Sequence, residues 1–306
     1  MKVIQSSNIR TNNAIRESFG DRVFLAGIYA FLGLILVIIL LPLLHIVSAS
    51  FSSPMDVTSG KVWIWPVHPT LAGYSAVFHN SQIWLGYWNS IIYTVLGTLI
   101  SVIMTIMIAY PLSRKSFYGR NVLMLLIVFT MLFSGGMIPL YLVIKQLHMI
   151  DTRWALVIPQ ALAVWQVIVA RTFFQSTIPD ELAEAADLDG CGDINFLIRI
   201  VIPLSKPIIA VMVLMFAVGQ WNAYFDALIY QKSQSLFPLQ LVLRNILILN
   251  SDAGNTTDLQ QMLARQGMKD LMKYSLIVVA SLPVLIIYPF VQKHFVKGMM
   301  IGSIKG

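Results

Sequence analysis

The sequence predicts an all-α membrane fold of six transmembrane helices, with a short acidic helical motif on the cytoplasmic side between the fourth and fifth. Three observations carry this. The chain of 306 residues is 57% hydrophobic and only 11% charged, with a mean hydropathy of +0.75, too little polar surface to cover a soluble core of that size. Six stretches approach the length of about 20 apolar residues that a bilayer-spanning helix needs: 23–47, 89–112, 121–144, 154–170, 207–230 and 274–292. Finally, six of the fourteen carboxylates fall between Asp180 and Asp193, a polar island between two apolar runs.

The first span follows a tail, 1–22. Its apolar run is longer than the roughly 7–15 residues of a signal-peptide core, so the small residues at 48–50 are not read as a cleavage site. The segment "VWIWPVHPTLAGY" (62–74), with two Trp and two Pro, suits the outer membrane interface. A short loop, 113–120, carries Arg114, Lys115 and Arg120. The fourth span is the shortest. The 231–273 connection includes the polar, turn-rich "NSDAGNTTDLQQ" (250–261). The tail 293–306 ends in "KGMMIGSIKG", whose three glycines suggest an extended end rather than a helix. An even number of spans puts both termini on one side. Thirteen of the 21 Lys and Arg lie on that side, which the positive-inside rule assigns to the cytoplasm. No linker or repeat divides the chain, so residues 1–306 form one domain.

On this topology the acidic stretch faces the cytoplasm. Pro179-Asp180 starts a helix, with Asp180 and Glu181 favourable at its N-terminus, and Gly190 stops it after Asp189. Gly192-Asp193 opens a second helix, which Pro203 and Pro207 end before the next span. Ala185 and Ala186 leave the first helix thin enough for close approach by another surface. A DNA-binding helix-turn-helix is excluded, because no basic residue lies between 172 and 198 to meet phosphates. A protein partner with a basic cleft and a plain solvated loop both remain open on spacing alone.

Glu184-Ala185-Ala186, then Gly190, then Ile200-Val201-Ile202-Pro203 resembles the EAA signature of membrane subunits of bacterial ABC importers, with Ile202 where that pattern has Leu. "SGGMIPLYLVIKQLHMIDTRWALVIP" (134–159), "WNAYFDALI" (221–229) and "SLPVLIIYPFVQKHFVKGMMIGSIKG" (281–306) extend the resemblance, to maltose-type carbohydrate permeases of the bacterial plasma membrane. The resemblance implies a coupling helix, with Glu184, Ala185, Ala186, Asp187, Gly190 and Pro203 docked on a cytoplasmic ATPase. It implies a homologous second permease, two ATPase subunits and an extracytoplasmic solute-binding protein, with oligosaccharide as cargo. Lys305 and Gly306 would reach the ATPase interface.

The residues themselves argue against catalysis. No Walker A loop is present, since Gly60-Lys61 runs into Val62 with no glycine five residues before it. This chain is therefore expected to bind no cofactor, ATP and Mg being held by the partner ATPases. Five scattered histidines and the single Cys191 offer no metal set and no internal disulfide. Asp226 is the one acid inside an expected span, fewer than a secondary transporter usually keeps; that class, a channel subunit and an ABC permease for a non-sugar solute are the alternatives. For a sugar path, helical spacing puts Gly219, Asn222 and Asp226 on one face of the fifth span, with Gln220 and Tyr224 beside it. Trp221 suits ring stacking or the lipid interface. Asn89, Tyr93 and Gln166 are weaker candidates, and the polar residues of the fifth span serve equally well as contacts to a partner permease.

Overall fold

The computed structural model describes residues 18–248 and 259–303, and these residues fold as helices and connecting turns. Helix α1 (Phe19–Ser50) starts with a reciprocal cap: Asp21 N–H donates to Ser18 Oγ and Ser18 N–H to the Asp21 carboxylate. It is apolar on every side and exposed until Ser48, as a helix facing hydrocarbon should be. The following segment folds back on the helix end. Ser48 Oγ donates to the Ile64 carbonyl, and Val67 N–H donates to Ser52 Oγ at 3.0 Å. Trp63 and Trp65 project outward from this fold-back. Two short helices, α2 (Pro54–Thr58) and α3 (Ala72–His79), lead into the long helix α4 (Ser81–Ser113).

Helix α4 is the spine. Its 33 residues extend about 50 Å, well beyond the roughly 30 Å hydrocarbon core. Its buried face recurs every three or four residues through Gly86, Asn89, Ser90, Tyr93, Gly97, Ser101, Thr105 and Ala109. Most of these are small, so neighbouring backbones come close. A Cβ on Gly97 would lie 2.8 Å from Gln220 Cδ of α12 (Lys206–Asn222). One on Gly86 would lie 3.2 Å from Leu239 Cα of α14 (Leu239–Ile248).

Three expected spans are interrupted. The third is two helices, α5 (Arg120–Leu132) and α6 (Met137–Gln146), bent by 112° at Phe133–Gly136, where Gly136 takes φ +86°. The fourth does not run from 154 to 170. A single turn, α7 (Trp154–Val157), is followed by irregular chain around Pro159, and α8 (Val164–Thr177) starts ten residues later than expected. The fifth ends at Asn222, breaks at Ala223-Tyr224 and resumes as α13 (Phe225–Tyr230). Before it, α9 (Asp180–Leu188), α10 (Asp193–Phe196), a wide π turn (Leu197–Val201) and α11 (Ile202–Leu204) form the acidic motif, and an 82° bend separates it from α12. The second helix of the motif therefore runs through Pro203 and ends at Leu204. Pro203 has no N–H for the Arg199 carbonyl, which accounts for the widened turn just before it.

The last helix, α15 (Leu259–Ser303), is far longer than the expected 274–292 span, and its apolar part covers Gly267–Pro289. Residues 297–303 are helical rather than extended, because no proline after Pro289 interrupts the backbone hydrogen bonds. Lys305 and Gly306 lie outside the described residues. Among the described residues, three helices suit a bilayer crossing by length and composition, Phe19–Ser50, Ser81–Ser113 and Gly267–Pro289, and up to five if each bent pair is one span.

The α4–α14 contact sets a stability expectation. Gly86→Val forces a side chain against the Leu239 backbone and should destabilise by about 1–3 kcal/mol. The check is the unfolding midpoint in detergent, with Gly33→Val, which has open space around it, as the near-neutral control.

Candidate coupling site and membrane cavity

The acidic motif is a compact knob. Helix α9 ends with Gly190 at φ +75°, its N–H donating to the Asp187 carbonyl at 3.0 Å, while Cys191 N–H donates to the Ala186 carbonyl at 2.9 Å. These two bonds close the helix as a Schellman turn. Ala186 points inward and packs with Phe196 in a core that also takes in Ala109 of α4, Phe174 of α8 and Met212 of α12. Ala185, Glu184 and Asp187 are exposed, and among the described residues no side chain pairs with either carboxylate. The knob therefore has one face locked into the bundle and one left open.

Its base is tied down by charge. Asp180 accepts from Lys115 Nζ at 2.8 Å and lies 3.9 Å from Arg114 Nη1. The Lys115 hydrogen bond, reinforced by the nearby cations, holds the Asp180 carboxyl below the ordinary carboxylate range. Arg114 caps the C-terminus of α4 and sits 5.1 Å from the Phe196 ring and 5.3 Å from the Tyr110 ring. The knob, the end of α4 and the 113–120 loop are thus one unit. Sequence reading missed Arg114 and Lys115 as knob partners, since nothing in spacing links residues 65 positions apart. It also missed the tip: Leu188 is 90% exposed and Ile194 74% exposed. The signal was present, two large aliphatics flanking a glycine turn in a polar stretch.

The expected path residues separate. Trp221 is buried, donates from Nε1 to the Ala280 carbonyl at 3.1 Å and meets Tyr87 edge-on. It is a packing residue between α12 and α15, facing neither lipid nor a cavity. Asn222 donates to the Val218 carbonyl at 2.8 Å and lines a cavity of about 260 Å³ with Gln240 and Ser281. Asp226 lies beyond the break, so the single face expected for Gly219, Asn222 and Asp226 does not form. It lines a different cavity of about 530 Å³, between the broken third span and α13. Its Oδ2 accepts from Gln160 Nε2 at 2.7 Å. Tyr224 is exposed at the break, Gln220 is packed against Gly97, and Gln166 is half-buried on α8. Asn89 and Tyr93 tie α4 to the 235–237 connection through the Ser235, Phe237 and Leu236 carbonyls.

A further clamp joins the 148–153 and 230–233 turns. Asp151, at φ +60°, accepts from Ser233 Oγ at 2.6 Å and from the Ser233 and Lys232 N–H groups at 2.8 and 2.9 Å. The Ser233 hydroxyl, then the two amides, depress its carboxyl below 3.8. A depressed folded value stabilises above about pH 3.8 and loses that contribution as pH falls through the folded value. Asp151→Asn should therefore unfold more readily at neutral pH, and its gap from the parent should close below about pH 3.8. Unfolding midpoints in detergent across pH test this.

The fold is that of a membrane transport subunit: apolar helices around a central spine, with two cavities at the broken helices. No family model matches the chain. It is 43% identical over 296 residues to Protein LplC of Bacillus subtilis, covering 96% of this chain and 99% of that protein. It is 42% identical over 287 residues to the polygalacturonan/rhamnogalacturonan transport system permease protein YtcP of the same organism, covering 94% and 99%. The inner membrane ABC transporter permease protein YcjP of Escherichia coli is 32% identical over 290 residues, covering 92% and 96%. Among solved structures, a chain of a bacterial ABC transporter that imports the acidic polysaccharide alginate superposes with a TM-score of 0.83 at 34% identity, covering 91% of this chain and 99% of that one. The chain belongs to the carbohydrate permeases of ABC importers, and it is a permease component of a sugar import system.

Proposed function

We propose that this chain is one of two permease halves of an oligosaccharide importer in the bacterial plasma membrane, crossing six times with both termini in the cytoplasm. The spans are α1, α4, α5–α6, α7–α8, α12–α13 and the apolar part of α15. Its partners are a homologous permease, two ATPase subunits that hold ATP and Mg, and an extracytoplasmic binding protein. Oligosaccharide is the favoured cargo because relatives carry the names of polygalacturonan, rhamnogalacturonan and arabinooligosaccharide systems.

The observation that supports coupling through 180–203 is the two-faced knob. Glu184, Ala185 and Asp187 are open around an apolar tip, while Asp180 and Ala186 fasten the opposite side to α4 and the core. A basic cleft with an apolar floor complements that open face. Closure of the ATPase pair on ATP then moves the knob, and because the knob is fastened to both α4 and α12, the displacement passes into two spans. Gly190 lets the tip turn tightly, and Pro203 sets the wide turn behind it. The tail at Lys305 and Gly306 is a second proposed ATPase contact, since α15 continues as helix to Ser303.

Glu184→Lys and Leu188→Asp should leave the protein in the membrane and weaken ATPase association by about 2 kcal/mol or more, roughly thirtyfold. Gly190→Asp strains a left-handed position and should abolish uptake with normal insertion. The measurements are co-purification of ATPase with the tagged permease and sugar uptake in cells. Normal uptake in all three variants, or a native complex without an ATPase, sinks this reading.

A further inference from the structure

The smaller cavity is a cleft with no ionisable side chain in its lining. About 260 Å³ in volume, it opens between the end of α12, the start of α14 and one stripe of α15. The stripe is Ile277, Ala280, Ser281 and Val284, a spacing that lays side chains along one helix face. Asn222 and Gln240 line the cleft from the other two helices, so three uncharged polar side chains converge on one space.

Their hydrogen-bonding capacity is largely unspent. Asn222 Nδ2 donates to the Val218 carbonyl and Ser281 Oγ to the Ile277 carbonyl, each at 2.8 Å. That leaves the Asn222 amide oxygen and the Ser281 lone pairs free to accept. Among the described residues the Gln240 amide has no hydrogen-bond partner, so it offers an acceptor beside two donors. The packing behind the cleft fixes these groups. Trp221, next to Asn222, is bonded to the carbonyl of Ala280, next to Ser281. Leu239, next to Gln240, donates from its N–H to Ser90 Oγ on α4. Lipid tails satisfy none of the free groups, so the cleft suits a solute that brings hydrogen bonds of its own. A saccharide does, because each ring hydroxyl both donates and accepts, and neighbouring hydroxyls meet an amide's donor and acceptor side by side. The aliphatic wall of Leu243, Ile277 and Val284 suits the C–H face of the ring. The volume is on the scale of one sugar ring rather than of a whole oligosaccharide.

We propose that Asn222, Gln240 and Ser281 form a saccharide-binding cleft that hydrogen-bonds the ring hydroxyls of the passing oligosaccharide and is indifferent to its charge. The inference rests on the sugar-import reading above and deepens it. A neutral cleft accords with the range of cargo among similar proteins: one imports the acidic polysaccharide alginate, and another is named for arabinooligosaccharides, which are uncharged.

The test uses the assembled importer, with arabinotetraose and tetragalacturonate as probes. Gln240→Met and Asn222→Leu keep the bulk of the side chain and remove its hydrogen bonds, and Ser281→Ala is the mildest change. Each should lower the maximal uptake rate about fivefold, by the same factor for each probe the parent carries, with the second permease and the ATPase still co-purifying. The sequence contains one cysteine, so Cys191→Ser gives a clean background for a reporter thiol. Ser281→Cys should react with hydroxyethyl methanethiosulfonate at least about tenfold faster than Leu32→Cys on the exposed face of α1, since the reactive thiolate is disfavoured in hydrocarbon. A Ser281→Cys thiol as slow as Leu32→Cys means that the cleft meets lipid or a partner chain, and overturns the inference. Loss of the second permease from all three variants marks a subunit contact and does the same. Uptake by the parent with no change in any variant overturns the inference alone. Uptake of neither probe by the parent overturns the oligosaccharide reading on which the inference rests.

Discussion

The packing face of α4 is the constraint on which the rest depends. Between lipid tails there is no hydrophobic force to drive one helix onto another, so association rests on close contact and on hydrogen bonds satisfied within the protein. The small residues of α4 allow the first, and its polar ones the second. Gly97 admits the Gln220 side chain, Gly86 admits the α14 backbone, and Ser90 Oγ accepts from Leu239 N–H at 2.8 Å. Asn89 and Tyr93 give the 235–237 connection the donors that its exposed carbonyls need. Larger residues at those glycines would push α12 and α14 away, and both cavities and the knob would lose their common frame.

That frame is what lets helices of an apolar bundle be broken partway along their length. A break in a helix leaves backbone groups without partners, which is tolerated only where protein or water supplies them. The 133–136 break and the 223–224 break both border the Asp226 cavity or its rim, and the exposed Tyr224 lies at the second. Polar chemistry and broken backbone therefore occur together at this cavity. Trp221 explains why the break falls after Asn222. Its indole is locked to the Ala280 carbonyl and against Tyr87, which holds the end of α12 on α15 directly before the break.

How much of this was legible in the sequence depended on whether the signal was local. Apolar runs marked α1 and α4 well, because hydropathy over 20 residues needs no tertiary information. The Gly190 stop was equally readable, since only the residue and its neighbours decide a left-handed turn. The interruptions of the third and fourth spans were not, although "SGG" at 134–136 and Pro159 were visible; in hydrocarbon a run of apolar residues reads the same whether its helix is straight or bent. Placing Asn222 and Asp226 on one face assumed an unbroken helix, and the two-residue break at 223–224 was enough to send them into separate cavities. The Asp180 pairs with Arg114 and Lys115 and the Gln160–Asp226 bond were beyond reach, because each joins residues more than 60 positions apart.

The knob's attachment bears on the coupling proposed for it. A contact that merely touched α12 would move one span and leave the other helices to lag. Arg114 prevents that, because its guanidinium lies against Phe196 of the knob and Tyr110 of α4 while reaching toward Asp180. A planar guanidinium can hold ring faces and a carboxylate at once, which a lysine ammonium cannot do with the same geometry. The charge it carries at the C-terminus of α4 is also favoured by the helix dipole. In the proposed coupling, force applied at the exposed Leu188 tip would reach the spine through a residue that is itself buried. The knob and the helices that pack on α4 therefore share one stiff spine, to which the knob is fastened through Arg114.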